Sequence, residues 1–225
     1  MIDIRPVAHP IGKILTVIGA MMVAPMAVDW WHGDPHWVVF LQSAVLTMVS
    51  GVMLAVATAG RYDHLTLHQA FLLTSGIWLV LPAFGALPFM LGEPDASFTD
   101  AMFESMSGFT TTGTTVFPAL DDLARGIHLW RAILHWAGGL GIVVVAMVFL
   151  PVMKVGGMQF FRSEGFDTLG KVLPRAGQIA GEMTQLYLIL TGACLVTYLM
   201  LGLTGFDAVV QAFSTVSTGG FSNYD

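Results

Sequence analysis

The sequence predicts an all-α integral membrane protein built from helix–re-entrant-loop–helix units, and three observations carry that expectation. First, 55% of the 225 residues are hydrophobic and 11% are charged, against roughly a quarter charged in an average soluble domain. Second, five long stretches between charges read as apolar helices. Third, two shorter apolar segments each run into a Thr/Ser–Gly stretch at a matched place in the order of spans. This composition excludes a soluble globular domain, a disordered chain and a disulfide scaffold. Cys194 is the sole cysteine, which disfavours a thiolate metal cluster. A formal charge of −6 argues against a nucleic-acid partner, which needs a basic face.

A helix crossing the hydrocarbon core needs about 20 apolar residues. Residues 14–28 are uncharged, with Lys13 able to snorkel and Trp30 and Trp31 forming an aromatic end. Arg5 and Lys13 resemble the basic start of a secretory signal, but no small-x-small cleavage site follows, so a retained first span is expected. Residues 35–60 form the second span. Residues 64–92 form the third, with Pro82 and Pro88 bending its outer end. Residues 132–153 and 183–206 complete the set. Arg5, Lys13, Arg61, Lys154, Arg162, Lys171 and Arg175, seven of nine basic residues, fall on one side. The positive-inside rule makes that side cytoplasmic, with the amino terminus inside.

Two segments fit no span. Residues 98–120 hold a short helix over 98–109, capped by Ser97 or Thr99, followed by the run Thr110 to Thr115 with Gly113 inside it. Residues 206–221 repeat the design, ending in Ser217-Thr218-Gly219-Gly220. Both follow an inside-to-outside span, so both are expected to dip in from outside and return. The Thr-Gly pairs 112–113 and 218–219 lie 106 positions apart, which marks an internal repeat. The expected organisation is a helix pair over 1–60, a first repeat over 61–153, a cytoplasmic loop over 154–182 and an incomplete second repeat over 183–225.

Non-helical backbone at membrane depth is tolerated only where it is buried in protein or lines a water-filled path. Rows of bare carbonyl oxygens are also what a dehydrated alkali cation needs. Thr allows extended backbone and adds a hydroxyl, and Gly allows a positive φ that turns carbonyls to an axis. A short helix whose carboxyl end faces that axis adds partial negative charge. Acidic outer residues Asp34, Glu93, Asp95, Asp121 and Asp122 concentrate cations and disfavour an anion path.

Phe103-Glu104-Ser105-Met106-Ser107-Gly108-Phe109-Thr110-Thr111-Thr112-Gly113 resembles the first pore loop of the TrkH subunits of bacterial Trk potassium-uptake systems, in the Trk/Ktr/HKT superfamily. His135-Trp136-Ala137-Gly138-Gly139-Leu140-Gly141-Ile142 resembles that family's second-helix signature. Gly156-Gly157-Met158-Gln159, with Arg162 and Glu164, is similar to its cytoplasmic loop, and Phe213 to Ser222 to its second pore loop. The resemblance implies potassium-channel-like architecture: four helix–pore-loop–helix repeats, of which this chain would supply the amino-terminal helix pair and one and a half. It implies potassium uptake across the inner (plasma) membrane, a homodimer, a cytosolic NAD- or ATP-binding regulatory subunit, and no cofactor beyond transported potassium. Carried over by position, Thr111, Thr112, Gly113, Ser217, Thr218 and Gly219 would line the selectivity filter. Thr110, Thr114, Glu104 and Gly220 would support it. A serine at the first filter glycine goes with sodium permeation in this superfamily, so Gly113 favours potassium.

Other groups carry less. His64 and His68 lie four apart but lack further ligands for zinc. His128 and His135 fit an aromatic belt beside Trp130 and Trp136. Glu104 could tune cation attraction or accept hydrogen bonds from loop amides. Gly138, Gly139 and Gly141 fit close packing on the pore helix, and residues 171–175 are explained by positive-inside charge. An intramembrane enzyme would need a nucleophile–base pair at depth, which no span carries. The alternative function is a secondary carrier for a small solute or a cation such as sodium. Such carriers often show inverted repeats, whereas these repeats run in one direction.

Overall fold

Inside a bilayer an apolar chain must pair its own backbone groups, and a helix does so within one segment. The computed structural model describes residues 3–60, 65–153 and 176–223, and all of its regular elements are helices. They are α1 (Arg5–Met21), α2 (Val23–His32), α3 (Trp37–Ala57), α4 (Leu67–Gly85), α5 (Leu87–Leu91), α6 (Phe98–Phe109), α7 (Arg125–Met153), α8 (Ala176–Met200) and α9 (Gly205–Val216), with a 3₁₀ turn at Leu120–Asp122. Among the described residues, four helical stretches are long and apolar enough to cross a membrane: Arg5–His32, Trp37–Ala57, His68–Leu91 and Ala180–Met200. The expected span over 132–153, fourth in order, is helical as part of α7. The molecule is an all-α membrane protein of the helix–pore-loop–helix kind.

Several boundaries move from the expected ones, each for a local reason. The first span starts at Arg5 rather than 14, because Pro6 supplies a preorganised first turn. A turn at Met22 divides it from α2, which ends at Gly33 with φ 74. The third span breaks where the prolines predicted: α4 stops at Gly85, Ala86 turns, and α5 restarts with Pro88 in its first turn. The indole nitrogen of Trp130 donates to the Gly85 carbonyl at 2.9 Å, satisfying an acceptor near the end of α4. The fourth helix starts at Arg125, seven residues before the expected span, and carries Arg131 inward. The last long helix starts at Ala176 and stops at Met200, leaving a turn before α9.

Packing puts α6 between α4 and α7, and α9 between α7 and α8. α1 and α3 approach so closely that a Cβ on Gly12, Gly19 or Gly51 would meet the opposing backbone. Asp29 of α2, fully buried, accepts from the Gly126 amide in the first turn of α7, where the helix dipole favours an anion. It also meets His36 Nδ1 at 3.3 Å. The helix pair is thereby fastened to the helix that both short helices lean on. His64, the 156–164 motif and residues 171–175 lie outside the described residues.

Candidate functional site

The two short helices start alike. The Ser97 hydroxyl accepts from the Asp100 amide at 3.2 Å and donates to its carboxylate at 2.8 Å. Thr204 treats Asp207 identically, at 3.2 and 2.6 Å. Each cap satisfies an orphan amide of the first turn. The expected cap was Ser97 or Thr99, and Ser97 takes the role.

They also end alike. In α6 the Thr111 amide donates to Gly108 O at 3.0 Å and the Thr112 amide to Ser107 O at 2.9 Å. In α9 the Thr218 amide donates to Thr215 O at 3.0 Å and the Gly219 amide to Ser214 O at 2.8 Å. This paired closure wants a left-handed residue just past the cap, ordinarily glycine. Here it is threonine twice, Thr111 and Thr218, both at φ 55. A β-branched side chain at positive φ is a strained conformation of the kind that clusters at functional sites. Beyond it, the Ser107 hydroxyl donates to Thr114 O at 2.6 Å and the Ser214 hydroxyl to Phe221 O at 3.0 Å.

Caps, left-handed threonines and serine braces all repeat at 107 positions, not the 106 expected from matching Thr-Gly pairs. Gly113 therefore corresponds to Gly220, and Thr112 to Gly219. The two corresponding glycines meet: a Cβ on Gly113, which sits at φ +77, would press into the backbone of Gly220. Both short helices point their carboxyl ends into loops that touch at this place.

Around that contact, Thr112, Thr114, Thr218 and Gly220 are exposed, whereas Thr111, Gly113 and Gly219 are partly so. The Thr110 hydroxyl donates to Met106 O at 2.8 Å and lies 2.8 Å from that of Thr112. Ser217 is buried, and its hydroxyl turns back to the carbonyls of Phe213 and Ser214 at 2.9 and 3.0 Å. Gly138 and Gly139 of α7 let it reach the loops: added Cβ atoms would strike the Phe109 carbonyl and Ser217 respectively. Gly141 touches nothing comparable.

Glu104, of the two roles open to it, takes the hydrogen-bonding one. Fully buried, it accepts from the Thr115 hydroxyl at 3.0 Å and the Val116 amide at 3.1 Å. It also pairs with Arg131 Nε at 2.8 Å. Sequence reasoning missed that partner, although an arginine within an apolar helix calls for one. It also misplaced His135. That ring, expected beside Trp130 and Trp136, is fully buried and stacked on Phe221 with centroids 4.1 Å apart.

Comparison with known proteins places this geometry in a lineage. The family model described as "TrkH: Cation transport protein" matches residues 36–225. The Trk system potassium uptake protein TrkI of Halomonas elongata is 36% identical over 98% of this chain and 45% of its own length. Its counterpart TrkH from Vibrio parahaemolyticus is 38% identical over 98% of this chain and 46% of its own length. The crystal structure of the potassium transporter TrkH from Vibrio parahaemolyticus superposes with a TM-score of 0.88 at 35% identity, covering 100% of this chain and 45% of that one. The chain thus spans about half the length of the curated relatives it matches. Their names are those of transporters, not enzymes.

Proposed function

The chain belongs to the TrkH family of cation transport proteins, and from that premise we propose that it is the amino-terminal part of a potassium-uptake subunit. Its two pore loops would contribute two walls of a selectivity filter in the inner membrane, with the amino terminus cytoplasmic. The observation that carries this reading is the contact of Gly113 with Gly220 between two loops of one backbone design. Carbonyls of extended backbone around that contact would replace the hydration shell of an alkali cation. Thr111, Thr112 and Gly113 supply the first wall. Thr218, Gly219 and, from the 107-position register, Gly220 supply the second. Ser217 lines the base of that wall through its backbone, since its hydroxyl is spent within α9. No organic cofactor enters this reading, and potassium is cargo. A homodimer and a cytosolic nucleotide-binding regulatory subunit complete the proposed assembly.

Rubidium uptake into vesicles containing the complete gene product tests the proposal. Uptake that potassium competes away and sodium does not is the expected result. Uptake of an organic solute indifferent to potassium would overturn it in favour of a carrier.

A further inference from the structure

We infer that Arg131 is a positioning residue for ion discrimination: through Glu104 and Ser222 it ties the two pore loops to each other at corresponding positions. Both members of the Glu104–Arg131 pair are buried, at 0% and 1% side-chain exposure. A buried ion pair is weak evidence for stability, because apolar residues of like size often serve as well. What this pair supplies is geometry. Glu104 holds loop one by the Thr115 hydroxyl and the Val116 amide. Arg131 Nη1 donates to the Ser222 carbonyl of loop two at 3.1 Å, and its guanidinium lies over the Phe221 ring, 4.1 Å from the centroid. In the 107-position register Thr115 corresponds to Ser222, two residues beyond Gly113 and Gly220.

A single charged bridge thus joins the same point of both repeats, two residues past the glycine contact in each loop. Two loops that move independently here would change the spacing of the carbonyls facing an ion. Discrimination between alkali cations depends on the size of the cage or on the number and field strength of the carbonyls that reach the ion, and both follow from how the loops are set against each other. Because Glu104 neutralises Arg131, the bridge adds no net positive charge beside a cation path.

The inference rests on the proposed function, and the test separates the two. Rubidium and sodium uptake are compared in vesicles carrying equal amounts of the complete gene product, as wild type, Arg131→Lys, Phe221→Leu and the double variant Glu104→Gln/Arg131→Met. The double variant removes both charges at nearly constant volume, so it avoids leaving either one buried alone. Its rubidium-over-sodium preference should fall about tenfold, because the charge-assisted hydrogen bonds of Arg131 to Glu104 and to Ser222 are both lost. Arg131→Lys keeps the charge but loses the planar fork, and should fall between wild type and the double variant. Phe221→Leu leaves the ion pair intact and should lower the preference less than the double variant does. A double variant that inserts normally and keeps the wild-type preference would overturn the inference alone. Should it fail to insert, unchanged preference in both single variants would overturn it, and graded loss would support it. A wild type without selective rubidium uptake would instead bring down the proposed function, and this inference with it.

Discussion

Loop one leaves α6 through Thr111 at φ 55 and is braced by charge, with Glu104 gripping Thr115 and Val116. Loop two leaves α9 through Thr218 at the same φ, but position 211, the register partner of Glu104, is glutamine. Loop two is braced by Arg131, which donates to the Ser222 carbonyl at 3.1 Å, by His135 stacked on Phe221, and by Asn223, whose amide donates to the Asp207 carboxylate at 3.1 Å. Backbone design and the serine brace are common to the two loops, and the remaining braces are not. The shared part consists of groups local to each short helix: a cap, a left-handed threonine and a serine. Much of the divergent part comes through α7: Arg131 reaches loop one by way of Glu104 and loop two directly, and His135 stacks on loop two alone. Local sequence sets the shape of each loop, and a single shared neighbour sets their relation.

The sharpest break of this comparison lies at the glycines. Gly113 sits at φ +77 and has the Gly220 backbone where its Cβ would go. Gly220 has no positive φ, and its own Cβ would find Gly113 at an ordinary 3.5 Å. Gly113→Ala should therefore abolish most selective rubidium uptake, by well over tenfold, if strain and clash together exceed ~1.4 kcal/mol. Gly220→Ala should retain most of it. Equal loss in both, at equal membrane abundance, would mean that the loops are equivalent where the structure makes them unlike. Gly113→Ser combines the same clash with a hydroxyl, and should weaken potassium over sodium further.

A second break concerns Gly219, the partner of Thr112. Its φ does not require glycine; the His135 ring occupies the place of its Cβ. Gly219→Ala alone should reduce rubidium uptake and thermal stability, by an overpacking cost of about 1–3 kcal/mol. Adding His135→Ala should recover much of that stability, although it forfeits the stack on Phe221. Additive losses in the double variant would refute the steric account.

This glycine also explains what the sequence could not disclose. Residues 98–109 were legible as a helix because a Ser97 cap, an apolar face and a Thr/Gly exit agree, and the structure has those bounds. The repeat was legible too, but its register was not. Matching Thr112-Gly113 to Thr218-Gly219 took the first glycine of loop two as the marker, whereas Gly219 is small on account of a ring from α7. The true marker is the threonine at positive φ, a conformation that residue type argues against. Arg131 was hidden for a similar reason. Near the start of an apolar helix it reads as an outer charge, and only the fold brings Glu104 to it.

Third comes the serine brace, present in both loops with unequal geometry. Ser107 Oγ reaches Thr114 O at 2.6 Å, and buried Ser214 reaches Phe221 O at 3.0 Å while lying 3.3 Å from His135 Nδ1. Removing either hydroxyl leaves an acceptor unpaired, for about 1–3 kcal/mol of stability. Ser214→Ala should cost more, because it strips His135 of a partner as well. Thermal unfolding in detergent reads the difference, and a larger loss from Ser107→Ala would reverse this ranking.

The smallest effect belongs to the caps, and there the loops should behave as one. Ser97 and Thr204 each accept from the amide three residues on, at the same 3.2 Å, and both sites are exposed. Replacing either with alanine should cost about 1 kcal/mol, with no change in the ratio of rubidium to sodium uptake. A cap acts at the start of a short helix, sixteen residues before the glycine contact in each repeat, and it changes helix population rather than carbonyl spacing. If Thr204→Ala altered selectivity while Ser97→Ala did not, α9 would have to transmit strain along its whole length. The asymmetry between the loops would then arise within the repeats themselves and not from α7.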